Sequence, residues 1–402
     1  MTTYLIIGNG VAGNAAAEHI RKHDPEGNIA VFSRESQPFY YVPALPEYLA
    51  GAKAADQIII HPQGWYDRHR IDLHLNTRVT QIDPARKFVE THRGERFPFD
   101  KLLLATGGNS FVPPMQGADS PGVFTLRTLA DADRIKQAAA GANTAVLIGG
   151  GLLGLEAGNG LRQMGLKVLV VEFFPRLLPR QLDAAGAAIL QRQMEDMGFT
   201  FRLGAKTREI AAGPDGLTVN LESGEQLKGD LVLISAGVRP DLSLAQALGL
   251  KIDKGVQVDD TMKTSRDGIY AAGDLIEHRG RFYGIWPAAM EQGAVAGAAM
   301  AGQAAQYQGT LPSNLLKVVG VDLVAAGDID ADGKLTAVVQ TDSAKKIYRK
   351  LVIRDNLLVG AILLGDIRGS AEIQVAIGKQ QDISLLKNEL AQADFDFNRL
   401  IA

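Results

Sequence analysis

The sequence predicts an α/β protein with two Rossmann-like βαβ domains and a small mixed β-sheet domain, of α+β type, at its C-terminal end. The first two domains are predicted by a Gly-x-Gly-x-x-Gly turn. This turn occurs at Gly8 and again at Gly149, each time between an apolar strand and a helix. The third follows from the region after about residue 308, where short apolar strands alternate with polar turns. A chain of 402 residues is long enough for two or three domains.

The composition excludes several kinds of chemistry. A net charge of −3 gives no indication of nucleic-acid binding, and no apolar stretch free of glycine and charge is long enough to cross a membrane. The first residues show no signal-peptide pattern, so we expect a cytoplasmic protein. Because the chain contains no cysteine, it has no catalytic thiol, no disulfide and no Cys-ligated cluster or zinc site. Redox chemistry would therefore use a bound organic cofactor, or a metal held by histidines and carboxylates.

Two patterns resemble metal sites, and neither is complete. His19 and His23 lie four residues apart on the first predicted helix, but an exposed helix face is the better interpretation without a third ligand. The segment 328–333, "DIDADG", imitates the start of an EF-hand loop. It lacks the glutamate at the twelfth position and is flanked by predicted strands, so we interpret it as a solvated hairpin turn. No metal site is predicted.

The glycine turn recurs with the same spacing 141 residues further along the chain. The glycines of the two turns are Gly8, Gly10 and Gly13, and then Gly149, Gly151 and Gly154. In this fold the first glycine permits a tight turn, the second lets the backbone approach a pyrophosphate, and the third lets the helix pack on the strand. The phosphates bind at the helix N-terminus, where free N–H groups and the helix dipole favour negative charge. Two complete strand–turn–helix–strand units therefore predict two dinucleotide sites.

The residues at the ends of the second strands indicate which nucleotides bind. Glu172 directly follows the strand "VLVV", where a carboxylate accepts hydrogen bonds from ribose hydroxyls and repels a 2′-phosphate. This favours NAD over NADP in the second unit, although Arg176 four residues later could weaken the preference. The matching position in the first unit is Ser33, and Glu35 is the better candidate for that ribose.

Three further segments accompany the two turns. The strand "DKLLLATGG" ends at Thr106 and Gly107, and "DLVLISAGVRPD" repeats that shape after the second nucleotide unit. The segment "DGIYAAGDL" places Asp274 at a strand end, after small residues that permit close ligand approach. Two nucleotide sites in one chain suggest two cofactors that exchange a hydride.

In this order the motifs resemble those of the two-dinucleotide flavoprotein reductases, the pyridine nucleotide–disulfide oxidoreductase superfamily, over about the first 310 residues. The resemblance implies a discontinuous FAD-binding domain (1–109 and 239–308), an inserted NAD(H)-binding domain (110–238) and a C-terminal interface domain (309–402). It implies that FAD is contacted by Gly8, Gly10, Gly13, Thr106, Gly107 and Asp274. It implies that NAD is held by Gly149, Gly151, Gly154 and Glu172.

The resemblance also suggests two residues near the reacting rings. Glu156 would lie close to where nicotinamide meets flavin, although a carboxylate in the first turn of a helix is favourable in its own right. A small-residue helix that starts near Pro287 would direct its N-terminus at the isoalloxazine, and Trp286 would lie beside that ring. A core aromatic without flavin contact is the alternative for Trp286.

The segment "QPFYYVPALPEYLAG" (37–51) indicates the branch of the superfamily. In the thiol-dependent branch the redox cysteine would fall at Pro43, so disulfide reduction and sulfenate-based peroxidase chemistry are excluded. The cysteine-free branch that this segment resembles includes NADH:rubredoxin reductases and the flavin module of assimilatory nitrite reductases. Val42 departs from the usual Arg or Lys, whose FAD contact would then come from Arg34 or Lys53. Glu47 stands where oxygenase-coupled ferredoxin reductases tend to carry a lysine, which argues against that type.

The C-terminal third predicts a small sheet with two helices. Asp355-Asn356 indicates a hairpin turn, and "GSAEIQVAIGKQQ" and "LLKNELAQ" are the predicted helices, at 369–381 and 385–392. The basic cluster "KKIYRK" (345–350) could attract an acidic electron-transfer partner, but a solvated strand face is the preferred interpretation. This domain would cover the flavin or form a dimer or partner surface.

These observations predict an FAD-dependent NADH oxidoreductase that passes electrons to a small carrier protein such as rubredoxin. The flavin carries the chemistry, so no catalytic acid or base is predicted. One alternative is the flavin subunit of a larger, nitrite-reductase-like complex. Another is a low-turnover flavoprotein scaffold that senses NADH, and direct transfer to oxygen also stays open. A homodimer is compatible with the sequence, whereas a nucleic-acid or membrane partner is not expected.

Overall fold

The computed structural model describes residues 1–214, 216–310, 313–392 and 395–401, with the backbone alone over 313–317. The chain divides into two compact units. The first unit comprises Met1–Ala44, Lys53–Ser110 and Val238–Thr310. The second unit comprises Leu45–Ala52, Phe111–Gly237 and Leu311–Ala402. The three-domain division predicted from the sequence stays a prediction.

The helices and strands alternate through most of the chain. The helices are α1 (Val11–His23), α2 (Leu45–Leu49), α3 (Ala55–Ile58), α4 (Gln63–Arg68), α5 (Leu129–Ala139), α6 (Leu152–Gln163), α7 (Ala184–Asp196), α8 (Ser243–Ala247), α9 (Trp286–Met300) and α10 (Ser370–Lys379), with short 3₁₀ turns at Val42–Ala44 and Phe397–Leu400. The strands up to the second glycine turn are β1 (Thr3–Ile7), β2 (Asn28–Phe32), β3 (Ile71–His74), β4 (Val79–Asp83), β5 (Phe88–Thr91), β6 (Arg96–Pro98), β7 (Lys101–Leu104), β8 (Gly108–Ser110), β9 (Val123–Phe124) and β10 (Thr144–Ile148). The later strands are β11 (Lys167–Glu172), β12 (Thr200–Leu203), β13 (Thr207–Gly213), β14 (Gly216–Leu221), β15 (Gln226–Gly229), β16 (Leu231–Ile234), β17 (Val238–Pro240), β18 (Val256–Val258), β19 (Ile269–Ala271), β20 (Ile276–His278), β21 (Ser313–Val318), β22 (Val321–Gly327), β23 (Thr336–Asp342), β24 (Ile347–Arg354) and β25 (Leu357–Leu364).

The first unit is built on a parallel sheet with strand order β19-β7-β1-β2-β3. Its central strands read as continuous apolar runs because helices cover both faces of such a sheet. Helix α1 packs against α9 at unusually short range. A Cβ atom added at Gly293 would lie 2.2 Å from the Ala12 carbonyl oxygen, and one at Gly297 would lie 2.3 Å from that of Ala16. The small-residue pattern of α9 is therefore a packing requirement against α1.

The second unit contains a parallel sheet and an antiparallel sheet. The parallel sheet has the order β12-β11-β10-β16-β9, and the antiparallel C-terminal sheet has the order β21-β22-β25-β24-β23. Buried residues of the C-terminal sheet, such as Leu323 and Tyr348, belong to the same core cluster as Leu155 and Leu161 of α6. The predicted hairpin turn is confirmed, since Asp355 and Asn356 join β24 to β25 with φ values of 50° and 64°.

Three expectations for the C-terminal third are wrong in whole or in part, and the first is the helix at 385–392. Residues 385–390 form hydrogen-bonded turns instead of a helix, with the Leu390 N–H donating to the Leu386 carbonyl at 3.1 Å. The segment begins at an Asp382 side chain that accepts from the Ser384 N–H, and its Leu385 is 91% exposed. A short segment without a continuous apolar face gains too little from packing to sustain a helix.

The segment 328–333 is a connection between non-adjacent strands and not a hairpin turn. It joins β22 to β23, which lie at separate positions in the sheet and do not pair. The Asp330 carboxylate accepts hydrogen bonds from the backbone N–H groups of Lys334 and Leu335, at 2.7 and 2.9 Å. The aspartate-rich pattern therefore reflects loop capping by side-chain oxygens.

The basic cluster at 345–350 is only partly solvated. Lys345 and Lys346 are exposed, but Arg349 and Lys350 are buried. Strand β24 lies between β23 and β25, and its residues from Tyr348 to Ile353 are buried on both faces of the sheet. Lys350 Nζ donates to the Asp330 carbonyl at 2.7 Å and lies 3.2 Å from Asp183 Oδ2. A solvated strand face is therefore the wrong interpretation for these two residues.

Candidate functional site

The first glycine turn connects β1 to α1 and leaves open space at one position. Gly8 has φ +118°, and a Cβ atom there would lie 2.1 Å from the Ala105 carbonyl oxygen. A Cβ atom at Gly13 would lie 2.0 Å from the Gly8 carbonyl oxygen, so both positions require glycine. At Gly10 no described atom lies within 4 Å of the added Cβ. Gly10 is also the N-cap of α1 and provides no side-chain cap. Backbone N–H groups therefore face a space that suits a pyrophosphate.

The second glycine turn, between β10 and α6, repeats this geometry. Gly149 also has φ +118°, and its added Cβ would lie 2.2 Å from the Ser235 carbonyl oxygen. The added Cβ of Gly154 would lie 2.6 Å from the Gly149 carbonyl oxygen, whereas that of Gly151 again meets no described atom within 4 Å. Gly151 is the N-cap of α6, again without a side-chain cap. In both turns the second glycine is the one that faces open space.

Three predicted FAD contacts lie at the edge of the sheet where the first turn also lies. Thr106 and Gly107 follow β7, which pairs in parallel with β1, and Asp274 follows β19, which pairs with β7. The Thr106 hydroxyl donates to the Asp241 carbonyl at 3.3 Å, and the Asp241 N–H donates to the Gly107 carbonyl at 3.0 Å. Because the carboxyl ends of parallel strands form the ligand-binding edge, these positions are consistent with cofactor contacts. Their roles stay predictions.

Glu35, the predicted ribose contact in the first unit, lies next to the end of β2. The Ser33 hydroxyl accepts from the Glu35 N–H at 3.1 Å, and the Tyr40 hydroxyl donates to Glu35 Oε2 at 2.6 Å. Arg34, a candidate for the FAD contact that Val42 cannot supply, donates to Asn109 Oδ1 at 2.8 Å. Each of these polar groups has a partner within the first unit.

Sequence reasoning missed a polar network behind the first turn. The Asn14 side chain donates to the carbonyl oxygens of Asn9 and Gly10, both at 3.1 Å, and to Asn9 Oδ1 at 2.9 Å. The Tyr66 hydroxyl lies 2.9 Å from Asn9 Oδ1 and 2.8 Å from Asn14 Oδ1. Asn9 Nδ2 is buried, and none of the described residues offers it a hydrogen-bond partner. No local pattern connects Tyr66 to a turn that lies 57 residues earlier.

Glu172 is bound to the second turn itself. Its side chain is only 6% exposed at the end of β11. Oε2 accepts from the Gly150 N–H at 2.5 Å, and Oε1 accepts from the Phe174 N–H at 2.7 Å. Each carboxylate oxygen can accept more than one hydrogen bond, so ribose hydroxyls would share oxygens that already hold the turn. The nearby Arg176 guanidinium donates to the carbonyls of Leu182 and Pro179, at 3.1 and 3.3 Å.

An exposed aromatic pair follows Glu172 directly. Phe173 is 57% exposed and Phe174 is 48% exposed, although large aromatic side chains are usually buried. Lys206 Nζ lies 5.6 Å from the centre of the Phe173 ring. Aromatic faces stack on nucleic-acid bases, so this pair offers a surface suited to an adenine ring. The sequence carried this signal in "VEFFP", where two aromatic residues follow the acidic residue.

Glu156 contacts the C-terminal part of the second unit. Its Oε1 accepts from the Val319 N–H at 2.7 Å, and Val319 occupies the turn between β21 and β22 with φ +52°. Burial raises the pKa of the Glu156 carboxyl, the Val319 N–H opposes that rise, and the negative charge of Glu47 adds to it. Glu156 is the fifth residue of α6 and lies outside the first turn, so the expectation of a carboxylate placed in a first turn is wrong. Its place beside nicotinamide stays a prediction.

Trp286 is the first residue of α9 and belongs to an aromatic cluster in the first unit. Its ring stacks on Phe39 with centroids 5.8 Å apart and lies edge-to-face with Tyr41 at 5.0 Å. Both interpretations of Trp286, flavin neighbour and core aromatic, stay open.

Within the described parts of the chain, no three His, Asp or Glu side chains are grouped to hold a metal ion. None of the described helices is long and apolar enough to cross a membrane.

Comparison with known proteins identifies the class. The chain belongs to the pyridine nucleotide-disulphide oxidoreductase family, whose sequence model matches residues 2–293. A second model, the rubredoxin NAD+ reductase C-terminal domain, matches residues 312–381. These matches confirm the predicted family and α/β fold class, and they support FAD and NAD(H) as the cofactors.

Individual relatives include the rubredoxin reductases and the assimilatory reductase proteins that the sequence resembles. The chain is 35% identical to the assimilatory nitrate reductase electron transfer subunit of Bacillus subtilis over 392 residues, 97% of this chain and 51% of that protein. It is 36% identical to a rubredoxin-NAD(+) reductase of Pseudomonas putida over 284 residues, 70% of this chain and 73% of that protein. The solved NADH:rubredoxin oxidoreductase of Clostridium acetobutylicum superposes with a TM-score of 0.82 at 28% identity, covering 96% of this chain and 99% of that one. The chain spans about half the length of the nitrate and nitrite reductase relatives of Bacillus subtilis.

Proposed function

We propose that this chain accepts a hydride from NADH on a bound FAD and passes the electrons to a small redox protein of the rubredoxin type. The observation that carries the proposal is the pair of glycine turns, each with open space at its second glycine, in a chain that contains no cysteine. When bound, FAD supplies the chemistry that accepts a hydride and releases single electrons. Without a thiol the chain has no disulfide or sulfenate to take the electrons instead.

The protein's own contribution is to bind and orient the two dinucleotides. The N-termini of α1 and α6 provide free N–H groups for the phosphates at Gly10 and Gly151. Thr106, Gly107 and Asp274 would line the FAD site at the carboxyl edge of the first sheet. Glu172 would accept from the ribose of NADH while it holds the second turn.

We infer that the chain prefers NADH over NADPH. The buried carboxylate of Glu172 lies against the turn, where a 2′-phosphate would be repelled. Arg176 is the nearby cation expected to weaken this preference, but its guanidinium already donates to two backbone carbonyls. An arginine committed in this way would have to break those hydrogen bonds to bind a phosphate.

A second candidate function is that of a flavin subunit in a larger reductase. It is favoured by the similarity, over 97% of this chain, to a protein named as an electron transfer subunit of an assimilatory nitrate reductase. In that case the electron acceptor would be a metal centre in a partner subunit. The residues that bind the two dinucleotides would keep the same roles.

Assembly as a homodimer is a further proposal. It is tested by measuring the mass of the protein in solution.

The test separates the two dinucleotide sites with matched substitutions. Because no described atom lies within 4 Å of a Cβ at Gly151, Gly151→Leu should fold normally and fill the NADH space. We expect FAD in the unaltered protein to lose its absorbance near 450 nm when NADH is added without oxygen. We expect Gly151→Leu to retain FAD but to respond only to dithionite. Gly378→Leu, at another open glycine in α10, serves as the control.

The electron acceptor is tested in the same anaerobic assay. Oxidised rubredoxin is added to the NADH-reduced protein, and its reduction is followed by absorbance. Stoichiometric reduction supports the carrier-protein function. Flavin reduction without transfer to rubredoxin would favour the partner-subunit candidate, and no flavin reduction by NADH would overturn both.

A further inference from the structure

The segment 173–182 connects Glu172, at the end of β11, to helix α7, and it begins with the exposed aromatic pair. Its middle part is buried and bound to the second glycine turn. The Leu178 N–H donates to the Gly150 carbonyl at 3.1 Å, and the Leu178 side chain is fully buried. The φ of Leu178 is 47°, in the left-handed region that a leucine rarely adopts. A residue persists in such a conformation only where its surroundings hold it, so the segment depends on support from neighbouring elements.

The C-terminal end of this segment is held by Asp183, the N-cap of α7. Asp183 Oδ1 accepts from the Gly186 N–H at 3.0 Å, and Oδ2 accepts from the Tyr348 hydroxyl at 2.7 Å. Lys350 Nζ lies 3.2 Å from the same Oδ2. Both Tyr348 and Lys350 belong to β24. The C-terminal sheet therefore binds the point at which the segment ends and α7 begins.

Asp183, Tyr348 and Lys350 form a buried polar cluster. Burial alone would raise the pKa of Asp183, but the hydrogen bonds that it accepts, led by that from Tyr348, and the Lys350 charge hold the pKa below its ordinary value. Burial raises the pKa of Tyr348, and Asp183 adds to the rise, so the hydroxyl keeps the proton that it donates. Buried ion pairs add little net stability compared with apolar side chains of the same size. A bonded network of this kind instead makes the geometry of its members rigid.

Arg176 connects this cluster to the other end of the segment. Its guanidinium donates to the carbonyl of Leu182, the residue before Asp183, at 3.1 Å, and to that of Pro179 at 3.3 Å. Arg176 itself lies two residues after the exposed aromatic pair and four residues after Glu172. The end of the segment at the buried cluster and the end beside Glu172 are therefore joined by side-chain hydrogen bonds as well as by the backbone.

We propose that Asp183, Tyr348 and Lys350 are positioning residues for NADH, because they fix the segment 173–182 against which the adenosine half of the dinucleotide binds. The proposal rests on NADH as the dinucleotide of the second turn. The three side chains act on the shape of the segment and need no contact with NADH. Loss of their hydrogen bonds should therefore weaken binding of the adenosine half and leave the reaction at the nicotinamide unchanged. The C-terminal sheet then takes part in NADH binding.

The test compares NADH with reduced nicotinamide mononucleotide, which lacks the adenosine half, in steady-state assays with ferricyanide as the electron acceptor. Tyr348→Phe removes the hydroxyl and keeps the ring that lies beside Gly186. Lys350→Met removes the charge and keeps most of the side-chain volume. We expect each to raise KM for NADH about 3- to 30-fold, the range for coupling through hydrogen-bonded neighbours, with kcat within about twofold. The kcat/KM for the mononucleotide and the content of bound FAD should be unchanged.

Lys346→Met is the matched control. Lys346 also joins the C-terminal sheet to α7, since its Nζ lies 2.9 Å from Asp196 Oδ2. This pair is exposed and lies at the opposite end of the helix from Asp183. Exposed ion pairs contribute little, so Lys346→Met should leave KM for both substrates unchanged.

Two results would overturn the proposal. One is a KM for NADH within about twofold of that of the unaltered protein in Tyr348→Phe and Lys350→Met. The other is an equal loss of kcat/KM for the mononucleotide, which would indicate general damage to the protein. Should Lys350→Met not fold, Tyr348→Phe alone decides the outcome. Failure of NADH to reduce the flavin of the unaltered protein would instead overturn the proposed function, so the two failures are distinguishable.

Discussion

The two glycine turns share one backbone and differ in the polar groups around it. In both, the first glycine has φ +118° and packs against the end of a neighbouring strand. The residue after it is Asn9 in the first turn and Gly150 in the second. A Cβ at Gly150 would lie 2.9 Å from Leu177 Cδ2 and 3.1 Å from Glu172 Oε2. A side chain at this position of the second turn would therefore displace Leu177 or Glu172.

This difference follows from the residue at the end of the second strand. Ser33 follows the second strand in the first unit, where its hydroxyl accepts from the Glu35 N–H, and the Asn9 side chain of the turn is bonded instead to Asn14 and Tyr66. Glu172 at the matching position in the second unit reaches Gly150 directly. The polar side chains around the first turn are two amides and a phenol that hydrogen-bond to one another. The second is lined by a carboxylate, which suits ribose hydroxyls. The glycine spacing is a backbone requirement, whereas selectivity lies in the side chains around it.

The largest effect is expected at the first glycine of each turn, which is the feature that the two turns share. Gly8→Ala and Gly149→Ala each place a Cβ near 2 Å from a backbone oxygen in a conformation that L-residues rarely adopt. We expect each to lower the free energy of unfolding by on the order of 3–5 kcal/mol, from strain plus displaced backbone. Urea unfolding measures this, with Gly10→Ala as a near-neutral control. Equal losses at Gly8 and Gly10 would contradict the geometry.

The next effect concerns the carboxylate that distinguishes the second turn. Glu172→Ala leaves the N–H groups of Gly150 and Phe174 without their acceptor, and we expect a loss of about 1.5–3 kcal/mol in unfolding free energy. The ratio of kcat/KM for NADH to that for NADPH should fall, because the repulsion of a 2′-phosphate is removed. Glu195→Gln, on the exposed face of α7, is the control. An unchanged ratio would show that Glu172 only supports the turn.

A smaller effect is expected at the aromatic surface that only the second unit carries. Phe173→Ala should weaken NADH binding by about 1–2 kcal/mol if the ring stacks on adenine. Inhibition by ADP-ribose should weaken by the same factor, whereas the reduced mononucleotide, which lacks adenine, should be unaffected. Phe282→Ala, an exposed phenylalanine of the first unit, is the control. A loss of affinity for the mononucleotide as well would indicate general damage to the site.

The smallest effect is a pH dependence that has no counterpart in the first turn. Glu156 corresponds to Ala15 there, and burial raises the pKa of its carboxyl in the folded state above the ordinary value of 4.5. The folded protein then holds this proton more tightly than the unfolded chain. Stability should therefore decrease as pH rises from about 4.5 through the raised pKa. Glu156→Gln should flatten that part of the stability profile in thermal unfolding measured across pH. An identical slope of stability against pH in the two proteins would contradict a raised pKa of Glu156 in the folded state.

Much of the fold could be predicted because it depends on local patterns. The glycine spacing, the apolar strands on each side and the Asp355-Asn356 turn are short-range signals, and each has a direct steric meaning. Two expectations were wrong because they do not depend on local patterns. These were the helix at 385–392 and the solvated strand face at 349–350. Their outcome depends on which other elements cover the segment, and the cluster "KKIYRK" contains nothing that shows β24 to be an interior strand.

At the candidate sites, too, local patterns predicted some features and tertiary packing decided the others. The sequence by itself determined the two turns, the family and the cofactor class, since glycine positions and strand ends are local requirements of a dinucleotide fold. Only the tertiary structure joined Asn9 to Tyr66, bonded Glu172 to Gly150 and brought Val319 to Glu156. Each of these is a hydrogen bond between residues distant in sequence. Such bonds form because a buried donor or acceptor must find a partner wherever the folded chain provides one.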